Sequence, residues 1–158
     1  MKHSLKTGFS FGLTSGIITT LGLIVGLNAG THSRLVVIGG ILTIAVADAF
    51  SDAMGIHIAE ETENKHSVKE VWLTSLATFL TKFIFALSFV IAFLFFELFA
   101  AVVIDLVWGL FLLSLFSFFL AREQKKNPRQ VVAEHLIIAF VVIVITNYVG
   151  DWIALTFK

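Results

Sequence analysis

The chain has no cysteine, a single proline and a single tyrosine, and only 14% of its 158 residues carry a formal charge. Each shortage excludes something. Without cysteine there is no disulfide framework and no thiolate metal centre, so any metal must be held by oxygen, imidazole or thioether groups. A formal net charge of zero leaves no basic excess to neutralise phosphates, so nucleic acid is not an expected partner. Scarce charge beside 58% hydrophobic residues lies outside the soluble norm and inside the membrane class. No internal repeat divides the chain, and a single membrane domain over 1–158 is expected.

A helix needs about 20 apolar residues to cross the hydrocarbon core. On that basis the chain holds five spans, at roughly 8–29, 34–57, 72–95, 99–120 and 132–155, which makes the expected fold all-α. The opening "MKHSLKTGFSFGLTSGIITT" begins with lysines as a signal peptide does. Gly and Thr interrupt it and no small-residue cleavage site follows, so it reads as a retained first span. The apolar stretch from Phe83 to Leu120 is too long for one crossing, which predicts a tight turn near Glu97. Lys2, Lys6, Lys65, Lys69, Arg122, Lys125, Lys126 and Arg129 fall on one side of this topology, against Arg34 and Lys158 on the other. The positive-inside rule then predicts a cytoplasmic N-terminus. Five spans in one chain argue against an inverted-repeat transporter within it. No organelle address is evident, which points to a prokaryotic plasma membrane.

Small residues recur in the first span: Gly8, Gly12 and Gly16, then, after a phase shift, Gly22, Gly26 and Gly30. Small residues four apart let helix backbones approach closely in lipid, where area burial supplies no drive for association. Packing within one subunit, a dimer seam and a pore-lining helix are all open readings.

The charges inside the spans are more telling. A carboxylate at mid-bilayer costs about 2.5–3.5 kcal/mol on insertion scales, so such groups face a cavity or a partner. Asp48 and Asp52 are one helical turn apart and share a face. Two like charges that close require a cation or a proton between them, so the pair is suited to a hard divalent ion or to coupled titration. The plainer alternative is an ion pair with Lys82, the only cation within a span, or hydrogen bonds to neighbouring hydroxyls. Asp105 in the fourth span is a second possible counter-ion for Lys82. Asn147 and Asp151, again four apart, either share a cavity or mark a solvated helix end. At the end of the second span, His57, Glu60, Glu61 and Glu63 suit first-row ions and would gather cations at a mouth, though a solvated acidic helix end explains them as well.

Two stretches carry a likeness. "SGIITTLGLIVGLNAG" and "GGILTIAVADAFSDAMG" resemble the paired first- and second-helix signatures of the vacuolar iron transporter family, and "NYVGDWI" is similar to its fifth-helix ending. The resemblance implies a homodimer of five-helix subunits with a cytoplasmic N-terminus, the ion path between subunits, and export of Fe(II) or Mn(II) from the cytosol in exchange for protons. The family's first-helix acid aligns with Ser15, its second-helix methionine with Ile44 and its glutamate with Asp48. The metal-collecting helical domain found in many members is missing, since "EETENKHSVKE" is too short for it. With those ligands changed, an all-oxygen site for Mn(II), Ca(II) or Mg(II) becomes as reasonable as one for iron.

The expectation is therefore a homodimeric secondary transporter with Asp48 and Asp52 binding the ion and Glu60, Glu61, Glu63 and His57 collecting it. Ser15, Thr19, Thr20, Asn28, Lys82, Asp105, Asn147 and Asp151 are candidates along its path. No permanently bound cofactor is expected; Mn(II) or Fe(II) enters as substrate, with protons and the bilayer as the other partners. No zincin order and no Gly-x-Ser-x-Gly elbow occurs, so an intramembrane enzyme is not expected. The rival is a non-transporting scaffold or accessory subunit whose acids only pair with Lys82. The transport expectation assumes that a mobile cation offsets the dehydration of the acids; it would be overturned by both oxygens clamped by the lone intramembrane ammonium, or splayed toward acyl chains with no polar void between protomers.

Overall fold

The structure, a computed structural model, describes residues 2–157. Of the cations counted for orientation, Lys158 and the side chain of Lys2 lie outside that description. The chain folds as α1 (Lys2–Thr31), α2 (Arg34–Thr62), α3 (Val68–Ser88), α4 (Val90–Phe95), α5 (Leu98–Glu123) and α6 (Pro128–Thr156). Taking α3 and α4 together, five helical segments are long and apolar enough to cross a membrane.

Local chemistry sets the ends. Ser33 accepts a hydrogen bond from the Val36 amide at the start of α2, and Ser67 and Glu70 form a reciprocal capping box at the start of α3. Asn127 caps α6 with Pro128 in the first turn, where a missing N–H is harmless. The turn predicted near Glu97 falls at Phe96 and Glu97, the latter being the N-cap of α5. The break between α3 and α4 has no counterpart in the sequence reading. There the Phe89 amide bonds Ala86 O, three residues back, tightening the helix by one residue. The Arg34 guanidinium donates to the carbonyl oxygen of Phe93 in α4, tying the start of α2 to the end of the broken span.

Helix α1 is the hub, packing against α2, α3, α5 and α6. Its glycines explain how. A Cβ at Gly8 would meet Thr74 and Ala77, one at Gly12 would lie 2.5 Å from Thr78 O, and one at Gly16 would crowd Lys82. After the phase shift the partner changes: Gly22 faces Val142 and Thr146, Gly26 faces Thr146, and Gly30 faces Gly150. The first three glycines admit α3 and the last three admit α6, so the stripe serves packing within one chain. Between them, Leu13, Ile17, Leu21 and Ile24 of α1 enter a core with Val37, Ile41, Phe89, Phe93 and Leu113. Large apolar side chains such as Phe50, Ile84, Phe99, Phe140 and Leu155 point outward, as a lipid-facing surface requires.

The glycine seam is testable by thermal unfolding in detergent. Gly12→Val is expected to destabilise by about 1–3 kcal/mol through overpacking against the α3 backbone. Gly39→Ala, where an added Cβ meets nothing within 4 Å, should stay within about 0.5 kcal/mol of the parent.

Candidate functional site

Helix α3 presents a buried polar stripe to α1 and α2: Thr74, Ser75, Thr78, Thr81 and Lys82. The hydroxyls of Thr74, Ser75 and Thr78 return to carbonyls four residues back, at 3.0, 2.8 and 3.0 Å, which satisfies them inside an apolar bundle. Lys82 has no such recourse. Its Cα lies against Gly16, whose lack of a side chain lets the four-carbon stem pass over α1 toward α2.

The ammonium ends between the two acids. Lys82 Nζ lies 2.5 Å from Asp48 Oδ2 and also pairs with Asp52 Oδ2. It donates to Ser15 Oγ at 2.9 Å, and Ser15 Oγ donates to Asp52 Oδ2 at 2.5 Å. Three helices thus meet in one four-residue cluster. The Lys82 side chain is 2% exposed, Asp52 20% and Asp48 32%, so the cluster is sealed on the α3 side and open at the α2 edge. Within the described residues, the cation that neutralises the pair is Lys82. The arrangement set out as adverse to the transport expectation, both acids clamped by Lys82, is the one observed.

The other candidates are distributed away from this cluster. Thr20 is buried and donates to Gly16 O at 2.6 Å, while Thr19 is exposed and donates to Ser15 O at 2.7 Å, so both hydroxyl protons are committed to α1 itself. Asn28 lies 13 residues beyond Ser15 on α1, about 20 Å along the axis. Asn147 donates to Asp151 at 3.0 Å on the surface of α6, a self-contained pair level with the Gly26–Gly30 end. Asp105 is not the counter-ion of Lys82: it is buried on α5 with Oδ2 unpartnered.

The acidic end of α2 likewise does not gather into one site. Glu60 is buried and lies 3.2 Å from His66 Nε2, with the His3 ring stacked on His66 at 6.0 Å between centroids. Glu63 lies 3.6 Å from Lys65 and Glu61 is exposed. His57 turns toward α3, with Nδ1 3.0 Å from Ser75 Oγ and its ring edge-on to Trp72. Among the described residues no group of three or more His, Asp or Glu side chains is arranged to hold a metal ion. Reading the sequence left the α3 hydroxyl stripe unremarked, although its spacing (74, 75, 78, 81, 82) marks one helix face.

No family model matches the chain, no curated protein matches it, and no solved structure matches it. The resemblance to vacuolar iron transporters therefore stands on the three quoted motifs alone.

Removing the ammonium should expose the strength of the cluster. Lys82→Met is expected to cost about 3–5 kcal/mol, because it leaves two partly buried carboxylates facing each other. Adding Asp52→Asn to Lys82→Met should recover part of that loss. A double-mutant cycle in detergent measures the coupling, and additive losses would show that the contacts contribute nothing together.

Proposed function

We propose that this chain is a secondary transporter that exchanges a divalent cation of the Fe(II) or Mn(II) class for protons, with Asp48 and Asp52 as the exchange groups. The observation that supports it is a charge count at the cluster. Two carboxylates face one ammonium, so with both acids ionised one negative charge is left over at bilayer depth. A pair serving only to hold helices together needs one acid for one lysine. Here the ammonium plus one proton balances the two acids, and a single divalent ion balances them once Lys82 is a neutral amine. Binding the metal would therefore release two protons, one from the carboxyl pair and one from the Lys82 ammonium, which is an electroneutral exchange of two protons for one divalent ion. Asp48 and Asp52 supply hard oxygen ligands, and Ser15 adds a neutral one.

The half-exposed edge of Asp48 supports a second subunit or a water-filled cavity against α2, because lipid would be a costly neighbour for it. A homodimer with the ion path at that edge meets the need. The cation distribution along the loops supports a cytoplasmic N-terminus, and the acids at the end of α2 would then lie on the cytosolic side, where exported ions enter.

One observation favours the second reading, a non-transporting scaffold: Lys82, Ser15, Asp48 and Asp52 already satisfy one another. Flux separates the two. In proteoliposomes loaded with a metal-sensitive dye, the parent should pass Mn(II) inward and alkalinise the lumen in step, as protons leave in exchange. Asp48→Asn and Asp52→Asn should each reduce that flux at least tenfold, about 1.4 kcal/mol or more in barrier terms. Equal flux in parent and variants would sink the transport reading in favour of the scaffold.

A further inference from the structure

Asp105 takes no part in the Lys82 cluster. It is 2% exposed on the inner face of α5, among Ala101, Val102 and Gly109, with Leu21 of α1 lying over Gly109 one turn further on. Its Oδ2 is buried without a hydrogen-bond partner. The titratable and charged groups described on the helices packed against α5 are engaged elsewhere or exposed, Tyr148 of α6 among the exposed. On α1, Lys6 pairs with Glu123 at 2.6 Å at the far end of α5, and His3 stacks on His66. On α6, His135 contacts Ser117 at 2.7 Å, Glu134 accepts from Gln130, Asp151 accepts from Asn147, and Arg129 is exposed in the first turn. Helix α4 has no charged residue, and Lys82 is held in its cluster.

An ionised carboxylate in that position would bear its full dehydration with no counter-charge. As a packing element alone, leucine would fill the space without that liability. A neutral carboxylic acid meets both constraints, since its O–H carries the charge-balancing proton on the same group.

We propose that Asp105 is a second intramembrane proton-binding site, occupied as a neutral acid in this conformation and separate from the Asp48/Asp52 pair. The bound species is a proton; it forms one O–H bond on the carboxyl group, and its release transfers it to water with that bond broken and no change in electron count. Occupancy of the site stands on burial alone. Its part in returning a proton during exchange rests on the transport reading above.

Infrared spectroscopy of the full chain in liposomes decides the occupancy without any transport. At pH 7 the parent should show the carbonyl stretch of a protonated carboxylic acid; Asp105→Asn should lose it, and Asp105→Glu should keep it at a shifted frequency. Asp48→Asn and Asp52→Asn should retain the Asp105 band. A parent without the band, or an Asp105→Asn spectrum identical to the parent in that region, would overturn the proposal. In a second arm an imposed pH gradient accelerates Mn(II) flux in the parent and gives no acceleration in Asp105→Asn. Retained acceleration would remove Asp105 from proton return. A parent that passes no Mn(II) would refute the transport reading and leave the infrared result to stand.

Discussion

One ammonium group holds the interior of this protein together. Lys82 reaches from α3 across the bare backbone of α1 to two carboxylates on α2, and Ser15 closes the ring from α1. In a low-dielectric interior such a cluster is strong while complete and costly when broken. Much else follows from making room for it. Glycine at position 16 is needed because a side chain there would press on the Lys82 stem, and the neighbouring Gly8 and Gly12 bring α3 close along the same line. The hydroxyls of Thr74, Ser75 and Thr78 turn back to carbonyls of their own helix, whereas the Lys82 ammonium has its partners on α1 and α2.

The cluster is asymmetric in charge and in access. A single lysine faces two aspartates, so with both acids ionised the cluster carries one unbalanced negative charge. Its buried end lies at Lys82 and its more open end at Asp48, so access to it is from the α2 edge. Ser15 adds a neutral oxygen to the set, so it leaves the net charge of the cluster unchanged.

Several parts of the architecture were legible from residue order. The five apolar segments, the turn at Phe96 and Glu97, and the small-residue spacing of α1 are all local properties, set by hydropathy and by steric size along one helix. The break at Phe89 was not legible, because "ALSFVIAF" contains neither proline nor glycine and its tightened turn is stabilised from outside, with Trp108 donating to Ser88 and Arg34 to Phe93. At the site, the shared face of Asp48 and Asp52 could be read from their spacing, as could the hydroxyl stripe of α3. Which acid meets Lys82 could not.

The amino-acid order by itself determined that this chain is an all-helical membrane domain with a handful of charges at bilayer depth, since crossing lipid demands long apolar helices and leaves the exceptions conspicuous. Only the tertiary structure decided how those charges are used. Rotation of each helix about its axis and the depth of the glycine contacts set which side chains meet, and they bring Lys82 to both Asp48 and Asp52 while leaving Asp105 alone among apolar neighbours. Those rotations are fixed by packing between helices far apart in the chain, a property that no single segment encodes.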